Sequence, residues 1–207
     1  FSSTLDFNAA SGTLNSVWID DSTALVLQAT TLDGNLTVRS GGAVTQTGAL
    51  DIGGTTDFII TGSAANVTIT TNANDFTGAV SITNGAQMRL DTSGELVLGT
   101  IQGSWATIES GGDVTQSGAG TFDTSNFFSV DARDDADTYY DVTLTNTGSE
   151  TERIKNIKAR NFTYIDDDDI EISTDNVTGT FTLTAGGAIT DYDDGMASSS
   201  GTMDAVI

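Results

Sequence analysis

Carboxylates are the side chains of this 207-residue chain that could do chemistry, and they are concentrated in two segments. Residues 131–141 read DARDDADTYYD, and residues 166–169 are four consecutive Asp. A cluster of oxygen ligands without His or Cys suits Ca²⁺ rather than a transition metal. The sequence therefore offers a candidate calcium site, and Ca²⁺ is the one cofactor that it suggests. The candidate ligands are Asp131, Asp134, Asp135, Asp137, Asp166, Asp167, Asp168 and Asp169.

Neither acidic segment has the spacing of a known calcium motif. Neither matches the D-x-[DN]-x-[DN]-G loop of an EF-hand, nor the GGxGxD nonapeptide of calcium-binding β-helices. The alternative interpretation is a pair of solvated loops whose charge keeps the protein soluble and discourages pairing at strand edges. The sequence leaves both interpretations open.

The composition disfavours an enzyme. The chain has no His and no Cys, which excludes triads that need His, thiol nucleophiles, disulfides and metal sites built on imidazole or thiolate. Two carboxylates would suffice for a glycosidase, but sugar-binding grooves normally add aromatic platforms. The two tryptophans, Trp18 and Trp105, fall far apart in the sequence, and Trp105 takes the position of Asn35 in the internal repeat described below. That position favours strand packing, and we expect no catalytic residues.

The charge limits the partners. The chain has 29 Asp and Glu against 7 Lys and Arg, a formal charge of −22. Nucleic acids and anionic membranes are bound by clustered cations, so neither is an expected partner. No apolar run approaches the ~18 residues of a membrane span, so membrane insertion is not expected.

Four of the seven basic residues form a strip at residues 153–160. They are Arg153, Lys155, Lys158 and Arg160. The strip could pair with carboxylates of its own turn or dock onto the acidic surface of another molecule. Local pairs are the simpler interpretation and the one that we favour.

An internal repeat determines the expected architecture. Residues 35–48 read NLTVRSGGAVTQTG, and residues 105–118 read WATIESGGDVTQSG, with eight of fourteen positions identical. A looser third copy, TFTLTAGGAITDYD, occupies residues 180–193. The Gly-Gly pairs of the three copies begin at Gly41, Gly111 and Gly186. A period of that length exceeds a single supersecondary unit and must contain several of them.

Short strands subdivide the repeat. Apolar residues separated by one polar residue place both apolar side chains on one face of a strand. Helical periodicity is nearly absent. The pairs predicted to point inward are Leu36/Val38, Phe58/Ile60, Val67/Ile69, Val80/Ile82, Met88/Leu90, Leu96/Leu98, Ala106/Ile108, Phe128/Val130, Val142/Leu144, Ile170/Ile172 and Phe181/Leu183.

The spacing of these strands predicts an all-β fold, a right-handed parallel β-helix (β-solenoid) with about 22 residues per coil. Val38, Ile60 and Ile82 are evenly spaced at that period, as expected of stacked coils with three short strands each. The absence of Pro fits a fold in which internal strands need every N–H. The alternative is an antiparallel, immunoglobulin-like array. We expect one elongated domain over residues 1–207, with a more acidic and less regular lobe at 131–175.

Glycine pairs are predicted at corners of the coils. We expect these residues to need special backbone angles. They are Gly41, Gly42, Gly111, Gly112, Gly186 and Gly187.

The repeats resemble those of filamentous-haemagglutinin-like exoproteins, large bacterial surface adhesins of which many use two-partner secretion. The resemblance is carried by LTVRSGGAVTQTGALDIGGTTDF, NDFTGAVSITNGAQMRL and ATIESGGDVTQSGAGTF, and it covers roughly residues 25–146 and 178–193. It implies a right-handed β-helical shaft that is extracellular, held at the bacterial cell surface and used in attachment or as a fibre. The family's export domain carries Asn-Pro motifs, which this chain lacks, so the resemblance implies repetitive shaft.

The expected partners are copies of the same chain, joined end to end, or a ligand on a host cell or other cell surface. The two ends, Phe1–Phe7 and Met203–Ile207, are apolar enough to join neighbouring subunits. The chain starts at Phe1 without Met, as expected of a piece of a longer exported protein. The rival function is a carbohydrate- or receptor-binding module on the same scaffold.

Overall fold

The computed structural model describes residues 13–63, 65–71, 73–173 and 176–191, with the backbone of 202–206. Within these residues the chain is all β, with no helix. Its strands are β1 (Val17–Asp21), β2 (Leu25–Leu27), β3 (Thr30–Leu32), β4 (Leu36–Ser40), β5 (Val44–Gln46), β6 (Leu50–Ile52), β7 (Thr56–Ile60), β8 (Ala65–Ile69), β9 (Asp75–Phe76), β10 (Val80–Thr92), β11 (Leu96–Ser110), β12 (Val114–Gln116), β13 (Phe122–Ala132), β14 (Val142–Leu144), β15 (Glu150–Thr151), β16 (Arg153–Ile154), β17 (Lys158–Ala159), β18 (Phe162–Asp166), β19 (Ile170–Ile172), β20 (Asn176–Val177), β21 (Thr180–Ala185), β22 (Ile189–Asp191) and β23 (Thr202–Val206).

The strands stack as a parallel β-solenoid. Each pairing between two of these strands is parallel, as in the succession β1, β4, β7 and β10. Twenty strands form one sheet, and β3, β6 and β9 form a second. The solenoid has about 9 turns of roughly 20 residues each. The predicted parallel solenoid is thus confirmed, and the antiparallel alternative is wrong.

The strand register shows that the predicted constant number of residues per coil was wrong. Val38 pairs with Phe58, and Phe58 pairs with Ile82, so the first of these turns is shorter than the second. Ile60 pairs instead with Ser40. The regular spacing of Val38, Ile60 and Ile82 is therefore the average of two unequal turns.

The core is a continuous column of apolar side chains inside the solenoid. Alternation within each strand places apolar side chains inward and Thr, Ser or charged side chains outward. In β4 and β8, for example, both members of the predicted pair are buried and the residue between them is partly exposed. Every predicted inward pair is buried except for Ile172, which is half-buried against the same cluster.

One turn is much longer than its neighbours. It separates Val114 from its partner Val142, whereas a short turn separates Val80 from its partner Leu98. The long turn accommodates an excursion in which Arg133 and Tyr139 form an antiparallel bridge. We call residues 133–139 the acidic hairpin.

The strands that follow the acidic hairpin are short. Strands β14 to β20, within the predicted lobe at 131–175 and just beyond it, stay paired in parallel to neighbouring turns. The backbone ladder therefore continues through this part of the chain. The single domain and its lobe stay predictions.

The repeated Ser-Gly-Gly corners have the same hydrogen bonds in both copies. The Ser40 hydroxyl donates to the carbonyl oxygen of Thr23 at 2.7 Å and accepts the N–H of Gly42 at 3.3 Å. Ser110 donates to Gly94 at 2.8 Å and accepts the N–H of Gly112, also at 3.3 Å. Both serines are buried, so each corner is joined to the turn beneath it.

Glycine is needed at these corners because successive turns approach closely there, and not because of its backbone angles. The expectation of special angles was wrong, because none of Gly41, Gly42, Gly111, Gly112, Gly186 and Gly187 has a left-handed φ. A Cβ on Gly41 or Gly111 would instead overlap the carbonyl oxygen of Ser22 or Ser93, and one on Gly186 that of Asp167. A side chain there would push two turns apart.

The end segments lie largely outside the described residues. Phe1–Phe7 lies outside them altogether. Of Met203–Ile207 only the backbone of residues 203–206 is described, within β23, which pairs in parallel with β21. The predicted end-to-end contacts therefore stay predictions.

Gly111→Ala should destabilise the protein by about 1–3 kcal/mol, because its methyl group must displace the backbone of the turn beneath. Gly118→Ala is the matched control, since a Cβ there meets open space and should be neutral or stabilise by about 0.5–1 kcal/mol. Urea unfolding followed by circular dichroism measures both. Equal stability of the two variants would contradict the steric explanation.

Candidate functional site

The outward side chains of three successive turns form three parallel columns, which together we call the outer face. Parallel in-register pairing stacks equivalent positions of successive turns. Strands β10, β11 and β13 supply one position each to every column. The first column is Gln87, Trp105 and Phe127; the second is Arg89, Thr107 and Ser129; the third is Asp91, Glu109 and Asp131.

The third column and the acidic hairpin line one groove. Its volume is about 640 Å³, and its charged lining residues are Asp91, Glu109, Asp131, Arg133, Asp134, Asp135 and Asp137. The groove thus holds six carboxylates and one guanidinium. It brings together the four aspartates of the first predicted cluster, and none of residues 166–169 lines it.

Asp91 is the carboxylate with the least favourable environment in the groove. Partial burial raises its pKa, and the charges of Glu109 and Asp135 raise it further, to about 6. Glu109 occupies the same position one turn above, so the stacking itself creates the repulsion. A cation placed beside Asp91 and Glu109 would relieve it.

Three of the predicted ligands in the groove already have partners within the chain. Burial disfavours ionisation of Asp131, but hydrogen bonds from Arg133 and Lys158 outweigh it and lower the pKa. Asp134 accepts the backbone N–H groups of Ala136 and Thr138, and the Thr138 contact is the main cause of its lowered pKa. Asp137 pairs with Arg133 at 2.6 Å. The bonds of Asp134 and Asp137 are internal to the acidic hairpin, and the Arg133–Asp131 bond joins the hairpin to β13.

The second acidic cluster is part of the turn structure. Asp166 is buried and accepts the Thr151 N–H at 2.8 Å and the Tyr164 hydroxyl at 3.3 Å; burial is the main cause of its raised pKa. Asp167 accepts the N–H of Gly148 at 2.6 Å. On the same corner, Asp169 accepts the N–H of Ala188 and Asp168 accepts that of Gly187 through its carbonyl oxygen.

The calcium hypothesis gains no support from this arrangement. Among the described residues, no group of three or more acidic side chains is placed to hold a metal ion. Loop carboxylates are engaged by Arg133, Lys158 and backbone N–H groups instead. Calcium binding by Asp131, Asp134, Asp135, Asp137 or Asp166–Asp169 stays a prediction.

The basic strip pairs with carboxylates of the same chain, as favoured, but these lie on neighbouring turns, so the expected pairing within its own turn was wrong. Arg153 binds Glu171 at 2.5 Å and Arg160 binds Asp141 at 2.8 Å. Lys158 binds Asp131 at 2.9 Å. The Lys155 ammonium lies 3.6 Å from the centre of the Phe127 ring.

An aromatic platform on the outer face was not foreseen from the sequence. The rings of Trp105 and Phe127 lie 5.1 Å apart on successive turns, and Trp105 is 38% exposed. Trp105 lies in strand β11 and pairs in register with Phe127 of β13, as the predicted strand packing requires, but its side chain points outward. The adjacent aromatic residues Phe127 and Phe128 were the available signal, because strand alternation must turn one of the two outward.

The repeat that recurs along the chain is also the unit of a known family. A family model described as repeats of unknown function (DUF5649) matches residues 14–83, 85–154 and 159–205. The chain belongs to the DUF5649 family. The Gly-Gly pairs that begin at Gly41, Gly111 and Gly186 take nearly the same place in each DUF5649 repeat. No curated protein and no solved structure matches the chain.

The described part of this DUF5649 chain has no helix that is long and apolar enough to cross a membrane.

Asp131→Asn should lower the free energy of unfolding by about 1–2 kcal/mol, because Arg133 and Lys158 lose their shared carboxylate. The loss should be the same in EDTA and in millimolar Ca²⁺. The control, Asp20→Asn, removes a more exposed pair with Arg39 and should cost less. Denaturant unfolding in both buffers is the measurement, and a loss seen only with Ca²⁺ would favour the calcium site.

Asp91→Asn should raise the melting temperature above pH 7. The folded pKa of about 6 exceeds the usual 3.8, so the charged form is disfavoured by folding. This cost is fully present above the folded pKa, and it disappears as the pH falls toward the usual value. The advantage of Asp91→Asn over Asp33→Asn, which removes the same charge elsewhere, should shrink over that range. Melting curves from pH 8 to 4 test this, and a constant difference would contradict it.

Proposed function

We propose that the chain is part of the shaft of an extracellular bacterial adhesin or fibre, displayed at the cell surface. The observation that carries the proposal is the parallel ladder through about 9 turns around one core. At ~4.8 Å per turn, such a stack is a rod of roughly 40–45 Å. A rod built in this way holds a binding segment at a distance from its anchor.

The DUF5649 repeats support a structural role because one turn design is used repeatedly. The Ser-Gly-Gly corners recur with the same hydrogen bonds, so lengthening the protein needs only further copies of one unit. The resemblance of these segments to filamentous-haemagglutinin-like repeats favours secretion and a surface location. In this proposal the chain is not an enzyme.

The surface chemistry supports an exposed location of the rod. A net charge of −22 keeps repeated units apart and soluble. Its partners are copies of the chain at the solenoid ends, where strand edges are open, or a ligand on another cell.

Antibodies raised against the chain should label intact cells of the bacterium that produces it. Gold particles counted by electron microscopy before and after permeabilisation are the measurement, with a cytoplasmic protein as the control for leakage. The proposal predicts most of the signal on unpermeabilised cells. Labelling that requires permeabilisation would refute the surface location.

A second candidate is a carbohydrate- or receptor-binding module on the same scaffold. The observation that favours it is the exposed Trp105–Phe127 pair, because a shaft alone has no need of aromatic rings in water.

A further inference from the structure

The aromatic column is the feature of the outer face that a shaft leaves unexplained. Trp105 and Phe127 present neighbouring rings along the solenoid axis. The Lys155 ammonium covers Phe127 from the following turn, which fixes that ring and leaves Trp105 at the open end of the pair. Gln87 continues the column one turn below and is exposed. Trp18, the other exposed tryptophan, is not part of this column.

Polar groups continue the face from the aromatic column to the groove. Trp105, Thr107 and Glu109 alternate along β11 with the buried Ala106 and Ile108, so they point to the same side. The distance along the strand from Trp105 to Glu109 is ~13 Å. Within the described residues Arg89 forms no ion pair, and it lies beside Thr107 in the second column.

A small depression lies between the second and third columns. Its volume is about 160 Å³, and its polar lining consists of Thr70, Arg89, Asp91, Thr107 and Glu109. That volume equals the liquid volume of about five water molecules, which is enough for one sugar unit. Hydroxyl groups placed there would meet a guanidinium, two threonine hydroxyls and two carboxylates.

The charge of the face selects among glycans. An aromatic ring packs against the apolar face of a sugar, and nearby polar side chains fix its hydroxyl groups. Within the described residues Asp91 and Glu109 form no ion pair, whereas Asp131 is paired with Arg133 and Lys158. Asp91 and Glu109 therefore repel uronic acids and sulfated sugars and attract an ammonium group. The raised pKa of Asp91 is due first to partial burial, and the negative charges of Glu109 and Asp135 add to it.

We propose that the outer face binds a glycan that carries free amino groups. One sugar ring stacks on Trp105, and the rest of the glycan lies across Arg89 and Thr107. An amino group lies against Asp91 and Glu109. The ligand is recognised by its stacking face and its positive charge together, so neither an acidic glycan nor a flexible polycation has both features. This site does not depend on the shaft proposal.

Isothermal titration calorimetry with a glucosamine hexamer tests the proposal. The wild-type chain should bind it, and Trp105→Ala should weaken binding about thirtyfold or more, because truncating a central aromatic contact costs ~2 kcal/mol or more. Trp18→Ala is the matched control and should leave the affinity unchanged. Trp105→Tyr retains a ring and should recover most of the binding.

The charge requirement is tested with a second pair of ligands. Glu109→Gln should weaken binding of the glucosamine hexamer several-fold. The affinity for the N-acetylglucosamine hexamer should be unchanged, because that ligand is neutral. An oligogalacturonate should not bind. Circular dichroism and melting temperatures of all variants verify that each is folded.

Five results would overturn the proposal, and four of them come from the titrations. The first is no binding of the glucosamine hexamer by the wild type, and the second is an equal loss of affinity in Trp18→Ala. The third is tighter binding of the oligogalacturonate than of the glucosamine hexamer. The fourth is that hexalysine binds as tightly as the glucosamine hexamer and that Trp105→Ala does not weaken its binding. The last result would identify a surface for basic peptides. Concentration-dependent dimerisation that is lost in Trp105→Ala would also overturn it, because a second copy of the chain would then be the occupant.

Discussion

The parallel backbone ladder between successive turns is the constraint on which this structure depends. Each strand uses its N–H and C=O groups for the turns on either side, so the chain cannot omit donors where strands stack. This explains the absence of Pro from the sequence. It also explains why glycine is needed at Gly41 and Gly111, where adjacent corners approach too closely for a side chain. The requirement comes from the neighbouring turn, which local sequence alone does not reveal.

In-register stacking places equivalent positions of successive turns within about 5 Å, whether they attract or repel. In the aromatic column the result is favourable, because Trp105 and Phe127 pack on one another. In the acidic column it is not, because Asp91 and Glu109 carry like charges. The third member, Asp131, escapes the same penalty because a hairpin guanidinium and a lysine of the next turn bind it. Lys158 of the basic strip and Arg133 of the acidic hairpin therefore share one carboxylate.

The repeat and the alternation within short strands were enough to predict the solenoid, because both follow from local pattern. The register was not predictable, since the turn lengths differ and the average of a shorter and a longer turn imitates a regular step. The predicted calcium ligands show a similar limit. In the sequence, an Asp that binds Arg133 or a backbone N–H looks the same as an Asp that binds a metal, and only the fold distinguishes the two.

Buried polar residues were also invisible to the pattern. Asn74 lies in the core, where its side-chain oxygen Oδ1 accepts the N–H of Leu50 and its side-chain Nδ2 donates to the backbone carbonyl of Asp91. It therefore joins three successive turns at the corner of the outer face. In the sequence it is one of many asparagines next to turns. What distinguishes Asn74 from the others is its partner Gln46, whose side-chain amide donates to Asn74. The two residues are far apart in the sequence, so the pair could not be predicted from local pattern.

Variation in turn length is tolerated only where it leaves the ladder intact. The long turn adds its residues at a corner as the acidic hairpin, and β12 and β14 still pair in register across it. An insertion of this kind lies beside a flat sheet face and converts part of it into a groove. The hairpin, which lies next to the third column, is therefore the feature that makes one side of an otherwise repetitive rod chemically distinct. In a solenoid, specific chemistry can thus arise from a few residues added at one corner, while the stacked strands hold the stacked side chains in position.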